Sequence, residues 1–130
     1  MTRPNYLCFL TITLLTSCNA SSQMPLATNP VGQYVSVDSK FEKTSSLTLK
    51  TDSTFIYFYA LSGCQNTIHG SWSAKNESII LHSGYIKDTL VYIPDLNNFR
   101  WTITKRGLKP NGTIDTGCFK EKSLHVKIKE

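Results

Sequence analysis

Apolar side chains recur in short runs along residues 32–130, and turn-forming residues separate the runs. No run has the 3.6-residue apolar period of an amphipathic helix, whereas period-two alternation is frequent. In 99–105, for example, Phe99, Trp101 and Ile103 share one face of a predicted strand, and the intervening residues are polar. The pattern predicts strands at about 32–38, 45–50, 54–61, 67–74, 77–82, 88–93, 99–105, 113–120 and 123–129.

The connections between these runs are as short as β-hairpins require. Thr51-Asp52-Ser53 and Lys75-Asn76 separate neighbouring strands, with Asp52 expected to cap its turn. Lys109-Pro110-Asn111-Gly112 is a further turn signal, because proline presets φ and glycine accepts a positive φ. Gly32 and Gly70 are expected where the backbone is approached closely.

Alternation between an apolar and a polar face continues to the C-terminus. In 123–129, Leu124, Val126 and Ile128 alternate with His125 and two lysines, which predicts that the histidine faces solvent. Eight or nine short antiparallel strands leave exposed edges unless the sheet closes. We therefore predict an all-β domain: a small antiparallel up-and-down barrel, or a nearly closed meander, with a lipocalin-like arrangement.

The first eighteen residues form a separate pattern. Arg3 precedes the apolar stretch 6–15, which is too short for a bilayer-spanning helix but suits a signal peptide. The following Leu15-Thr16-Ser17-Cys18 resembles the lipobox of bacterial lipoproteins. That resemblance implies removal of 1–17 and acylation of Cys18, with chains such as palmitate. A plain secretory signal with an incidental cysteine, or a buried N-terminal strand, is the alternative.

These patterns predict three regions. Residues 1–17 are a lipoprotein signal peptide, 18–31 a lipidated flexible tether, and 32–130 the β-barrel domain. Two or more acyl chains anchor a protein stably, so the predicted partner is a membrane, reached through the lipid anchor. Asn19, where an aspartate would favour the inner membrane, favours the outer membrane of a bacterial envelope, facing the periplasm.

Several short motifs resemble small lipocalin-like envelope lipoproteins. They are Gly32-x-Tyr34, Leu47-x-Leu49-x-x-Asp52-x-x-Phe55, Gly70-x-Trp72 and Ile79-x-Leu81. Some members of this group resemble the barrel domain of the copper-resistance and envelope-stress lipoproteins. The CxxC of that copper-linked family is missing here, so the resemblance implies a fold and no copper site.

Charge and cysteine content narrow the possible partners. The formal net charge is +5, and the cations are scattered over many segments, which favours a solvated, mildly basic surface. Nucleic acid is not an expected partner of an exported protein. The densest basic stretch could contact anionic headgroups or an acidic partner; it contains Lys120, Lys122, His125, Lys127 and Lys129.

Cys64 and Cys118 remain after the signal peptide and the acylated cysteine are set aside. An exported domain tolerates disulfides, so we expect a bond between them. Two free buried thiols are one alternative. A metal pair, joined in space by His69, is another, although the CxxC spacing of common zinc sites is missing.

The sequence contains no recognisable catalytic motif, and we predict neither a metal nor a cofactor. The three histidines lack metal-ligand spacing and are expected on polar strand faces. The aromatic run Tyr57, Phe58 and Tyr59 is the candidate binding site, because alternate members must leave a small barrel's interior. A polar pocket with two ionisable groups in hydrogen-bond reach would favour an enzyme instead.

Three functions are compatible with these features. The preferred hypothesis is a membrane-anchored, non-catalytic binding module for an envelope protein or a small apolar ligand. The first alternative is a periplasmic inhibitor or immunity-type protein that blocks a hydrolase through a loop at 83–88 or 106–112. The second alternative is a small envelope enzyme.

Overall fold

The computed structural model describes residues 29–84 and 92–129, and eight of its strands close into an antiparallel barrel. Around the barrel the strand order is β1-β10-β7-β6-β5-β4-β3-β2, so β10 closes a seven-strand meander. The short strands β8 and β9 form a separate hairpin. The strands are β1 (Gly32–Ser36), β2 (Thr44–Leu49), β3 (Thr54–Leu61), β4 (Cys64–Lys75), β5 (Ser78–Ser83), β6 (Phe99–Ile103), β7 (Gly107–Pro110), β8 (Ile114–Asp115), β9 (Lys120–Glu121) and β10 (His125–Lys127). The predicted all-β barrel is confirmed.

Strand direction divides the connections between two ends of the barrel. At the entry end the chain enters β1 through 29–31 and leaves β10 through 128–129, and the turns 50–53, 76–77 and 104–106 lie there. The opposite end, called the disulfide end, carries the turn 62–63. It also carries the connections 37–43, 92–98 and 111–124.

Period-two alternation places the large apolar side chains inside the barrel. On β2, Leu47 and Leu49 are buried, and on β3 Phe55, Tyr57 and Tyr59 are buried, while the residues between them face outward. Trp101 on β6 fills the centre, with its ring 6.2 Å from that of Tyr57. Aromatic rings therefore occupy the interior space that a carrier of small apolar ligands would keep open.

Two hairpin predictions are confirmed in atomic detail. The Asp52 carboxylate accepts a hydrogen bond from the Thr54 N–H at 3.0 Å and caps the turn between β2 and β3. At Gly70 the backbone is approached closely: a Cβ there would collide with the His82 carbonyl oxygen and the Phe55 ring. Any larger residue at position 70 would force β4 away from β5 or displace the ring.

The predicted strands differ from the structure at three places. The turn predicted at 109–112 is wrong in its first half, because Gly107–Pro110 is strand β7. Proline is tolerated there since β10 pairs with β7 only at Leu108 and Gly107. The strand predicted at 113–120 is instead the β8–β9 hairpin. The one predicted at 88–93 falls mostly outside the described residues, and Tyr92 and Ile93 are not in a strand.

The orientation predicted for the last strand is also wrong. His125 is fully buried inside the barrel, and Ile128, expected in the core, is exposed beyond the end of β10. The apolar–polar pattern alone favoured the opposite face. Hydrogen bonds with the Ser45 hydroxyl and the Ser123 backbone carbonyl satisfy the imidazole inside, which is the condition under which a polar group can be buried.

The predicted disulfide is confirmed. Cys64, at the start of β4, and Cys118, in the β8–β9 turn, are bonded with their Cα atoms 5.8 Å apart and 54 positions apart in sequence. The bond fastens the β8–β9 hairpin to the barrel wall. The hairpin thereby lies over the disulfide end and brings Glu121 to the interior.

Candidate functional site

A buried polar cluster of Ser45, Glu121 and His125 lies beneath the β8–β9 hairpin. Ser45 comes from the start of β2, His125 from the start of β10, and Glu121 from β9. Each side chain is at most 1% exposed. Three polar side chains from three strands are thus buried together at the disulfide end, and their hydrogen bonds must compensate for the water they lose.

Ser45 bridges the two ionisable members of this cluster. Its Oγ donates to Glu121 Oε2 at 2.8 Å and lies 2.9 Å from His125 Nε2. The other ring nitrogen, Nδ1, lies 3.0 Å from the Ser123 carbonyl oxygen. A carbonyl can only accept, so Nδ1 carries a proton. Glu121 Oε1 accepts from the Ser123 backbone N–H at 2.7 Å and from the Ser123 hydroxyl.

The number of protons in this cluster follows from its donors and acceptors. With Glu121 ionised and His125 neutral, both Oε2 and Nε2 are acceptors, and the Ser45 hydroxyl has one proton for the two of them. One of the two contacts therefore lacks a proton at any moment. A single additional proton, on either Glu121 or His125, would complete both hydrogen bonds.

Burial and hydrogen bonding act on the two ionisable groups in different ways. Burial alone raises the pKa of Glu121, but hydrogen bonds from Ser123 and Ser45 outweigh it and leave the pKa below its usual value. Burial lowers the pKa of His125, and the Ser123 carbonyl and the Glu121 charge oppose this only in part. At neutral pH the cluster therefore holds a carboxylate and a neutral imidazole.

Two neighbouring aromatic residues contribute buried polar atoms without partners. The Tyr57 hydroxyl and Trp101 Nε1 form no hydrogen bond in the described part of the chain. Burial raises the pKa of Tyr57 strongly, and the charge of Glu121 raises it further, so the phenol stays protonated. The Trp101 ring stands edge-on to His125, with the centroids 4.9 Å apart.

The cluster has the residue types of a nucleophilic triad but a different geometry. In a triad the carboxylate holds the imidazole through Nδ1, and the imidazole activates the serine. Here Glu121 contacts Ser45 instead, and Nδ1 faces a backbone carbonyl. The Ser45 hydroxyl is enclosed by the barrel and the hairpin and has no exposed surface. The arrangement therefore suits a structural clamp between β2, β9 and β10.

The outer surface of the disulfide end presents exposed apolar side chains. Of the four large apolar residues exposed in the described chain, three lie there: Val37 (53%), Phe41 (88%) and Tyr92 (59%). The fourth, Ile128 (47%), lies at the entry end. Exposed apolar side chains grouped at one end of a small domain are typical of an interaction surface.

The backbone holds Phe41 outward. Phe41 and Glu42 both adopt left-handed conformations, with φ of 59° and 60°, which cost non-glycine residues about 1–3 kcal/mol each. The Asp38–Lys43 ion pair, at 2.7 Å, closes this short loop, and the hydrogen bond to Lys43 lowers the pKa of Asp38. The Lys43 ammonium also lies 5.7 Å from the centre of the Phe119 ring.

A cleft of about 270 Å³ opens beside the disulfide. Tyr59 and Tyr92 contribute its aromatic wall, and Gln65 and Asn66 contribute amides. Tyr92 is held by a hydrogen bond of 3.1 Å from its hydroxyl to the Asp115 carbonyl oxygen. The cleft combines apolar surface with hydrogen-bonding groups, as small recognition sites commonly do.

The predicted binding residues are distributed differently from the expectation. Tyr57 and Tyr59 are buried in the interior, as alternation along a barrel strand requires, and therefore do not form part of a surface patch. Phe58 faces outward and is half-buried between its neighbours Ser46 and Thr67. Tyr59 still contributes one edge of the cleft. The exposed Phe41 was missed, because nothing in its local sequence marks a left-handed turn.

Other predicted sites have simple outcomes. Cys18 lies outside the described residues. Across 29–84 and 92–129, no three His, Cys, Asp or Glu side chains converge as metal ligands. In the same ranges, the structure contains no helix long and apolar enough to cross a membrane.

Comparisons with known proteins do not extend these observations. The chain matches no family model, no curated protein and no solved structure at a significant level.

Proposed function

We propose that this protein is a membrane-anchored, non-catalytic binding module of a bacterial envelope, and that its partner contacts the disulfide end. The observation that carries the proposal is the exposure of Phe41 on a strained, ion-pair-closed loop. Strain of this kind persists only where the surrounding structure imposes it, and it is concentrated at functional sites. Val37, Tyr92 and the adjoining cleft extend the same surface.

The anchor is proposed from the lipobox-like Leu15–Cys18 motif, with acylated Cys18 as the first residue of the mature protein. Mass spectrometry of the native N-terminus tests it directly. We expect a lipid on Cys18, and an unprocessed chain in the Cys18→Ala variant. An unmodified N-terminus, or cleavage at another position, would contradict the anchor.

Binding at the disulfide end is tested by photo-crosslinking in the producing cells. A crosslinking residue replaces Phe41 or Tyr92 in separate variants, and the control replaces Ile128, the exposed apolar residue at the entry end. We expect one protein partner to crosslink from positions 41 and 92 and not from 128. Equal crosslinking from all three positions would overturn the proposal.

Two features support binding over catalysis. The groups that resemble a catalytic set are enclosed, and the exposed end carries apolar and amide surface. We therefore expect that this protein does not modify its partner covalently, and that the partner isolated without crosslinking has an unchanged mass. If the partner were a hydrolase that lost activity on binding, the inhibitor hypothesis would be the specific form of the proposal. Of the two loops predicted for that contact, most of 106–112 is barrel strand 107–110. The other, 83–88, lies mostly outside the described residues.

A further inference from the structure

Half of the described lysine and arginine side chains lie at the entry end of the barrel. Among residues 29–84 and 92–129, the entry end carries six cationic side chains against two carboxylates. They are Lys50, Lys75, Lys105, Arg106, Lys127 and Lys129, against Asp52 and Glu77.

The disulfide end, by contrast, is balanced. Its described connections carry four lysines and four carboxylates outside the buried cluster. They are Lys40, Lys43, Lys120 and Lys122, with Asp38, Glu42, Asp95 and Asp115. The expectation that the basic C-terminal stretch forms one cluster is therefore wrong. The structure divides it between both ends and buries its histidine.

The chain that leads to Cys18 enters at the same basic end. The Asn29 carbonyl accepts a hydrogen bond from Lys127 Nζ at 3.1 Å, and the Pro30 carbonyl accepts one from the Tyr34 hydroxyl at 2.8 Å. These bonds fix the point of entry. The ten residues between Cys18 and Asn29 make eleven Cα–Cα steps and span at most about 40 Å, so a lipid on Cys18 keeps the entry end within that distance of the bilayer.

Three of the cations line one cleft. Lys105 and Arg106, from the β6–β7 turn, and Lys127, from β10, surround a space of about 90 Å³ beside Tyr34. Arginine and lysine side chains carry the charge and the hydrogen-bond donors that bind the phosphate groups of lipids.

We propose that the entry end is a membrane-docking surface that binds the anionic headgroups of the bilayer holding the anchor. This inference rests on the proposed lipid anchor for its location. Screening limits electrostatic attraction to about 8–10 Å at physiological salt. A six-residue strand such as β2 spans about 20 Å. Only the entry-end cations can therefore act on the surface together, and the disulfide end points into the aqueous compartment.

The first experiment measures docking without the lipid. The chain from residue 18 onward with Cys18→Ser contains every described residue, and it is mixed with phosphatidylcholine vesicles with or without 30% phosphatidylglycerol. We expect partitioning only into anionic vesicles, falling as salt rises. Each cation near such a surface strengthens partitioning about fivefold, so Lys105→Glu with Arg106→Glu should weaken it about 25-fold or more.

A matched control separates location from net charge. Lys120→Glu with Lys122→Glu changes the total charge equally, but at the disulfide end, and should leave partitioning within about twofold of the parent chain. Equal losses in both double variants would overturn the proposal. Salt-independent partitioning, or binding to soluble polyphosphate with none to vesicles, would overturn it as well.

The second experiment measures orientation in the acylated protein. A fluorophore is placed at Thr51, in an entry-end turn, or at Gly63, in the disulfide-end turn where the structure leaves open space. Headgroup-linked quenchers should quench the Thr51 probe more strongly in anionic vesicles, and the Lys105→Glu/Arg106→Glu variant should lose that difference. Stronger quenching at Gly63 would refute the orientation.

The two proposals fail separately. An unacylated Cys18 with intact vesicle binding would refute the anchor alone. An acylated Cys18 with no binding by the Cys18→Ser chain would refute the docking surface alone.

Discussion

Removal of one buried hydroxyl, through Ser45→Ala, should destabilise the barrel far more than the same change at the next residue. Ser45 and Ser46 are neighbours on β2, but Ser45 faces the interior and Ser46 faces outward. Both substitutions delete one oxygen and alter strand propensity equally. The difference between them therefore isolates the contacts that Ser45 makes with Glu121 and His125.

The expected magnitude follows from those contacts. The hydrogen bond to the Glu121 carboxylate, at 2.8 Å, is charge-assisted and contributes about 1.5–3 kcal/mol, and the contact with His125 adds about 0.5–1.5 kcal/mol. Because one proton serves both acceptors, the combined loss should be about 2–4 kcal/mol. Ser46→Ala should stay within about 0.5 kcal/mol of the parent protein.

Urea unfolding at pH 7, followed by tryptophan fluorescence with the disulfide intact, measures both variants. The m-values should agree with that of the parent chain if the denatured states are comparable. In a double-mutant cycle, Ser45→Ala should cost less in a Glu121→Gln background, since the carboxylate is then already gone. A loss below about 1 kcal/mol for Ser45→Ala, or equal losses at positions 45 and 46, would refute the bridging role.

Three further outcomes are expected. The free energy of unfolding should fall on acidification in two stages, below about pH 6.5 for His125 and below about pH 4.5 for Glu121. The pKa values of both groups are lowered in the folded state, so the unfolded chain binds protons first as the pH falls. Glu121→Gln should remove the second stage, as pH-dependent unfolding would show, and an unchanged acid profile would contradict the assignment. Cys64→Ser with Cys118→Ser should lower the free energy of unfolding by about 2–4 kcal/mol for a 54-residue loop, and a smaller loss than Ser46→Ala gives would contradict a structural disulfide. Tyr57→Phe should leave stability unchanged or raise it by about 1 kcal/mol, because the Tyr57 hydroxyl is buried without a hydrogen bond in the described residues. This hydroxyl lies near enough to Ser45 for Ser45 to affect the pKa of Tyr57, so a clear loss of stability in calorimetry would show that the two hydroxyls are bonded.

The sequence by itself determined the class of fold and most of the wall of the barrel. Period-two alternation predicted β3 at 54–61 without error and placed β2, β5 and β6 within one or two residues. Alternation is reliable there because each strand has one face in an apolar interior, so local pattern and burial coincide. The Cys64–Cys118 bond was expected from residue type and an exported domain, with two free thiols or a metal pair as alternatives.

The functional arrangement was decided only by tertiary structure. His125 lies in a strand whose local pattern favours the opposite face. It is buried because Ser45, 80 positions away, and the Ser123 carbonyl satisfy its nitrogens. The exposure of Phe41 depends on two left-handed residues closed by an ion pair. The six entry-end cations come from four separate segments of the chain. The antiparallel meander brings four of them to one end, and the pairing of β10 with β1 and β7 adds Lys127 and Lys129. A sequence pattern reports which side of its own strand a residue favours, whereas partners, charges and ends of a barrel are set by the pairing of strands that are distant in the chain.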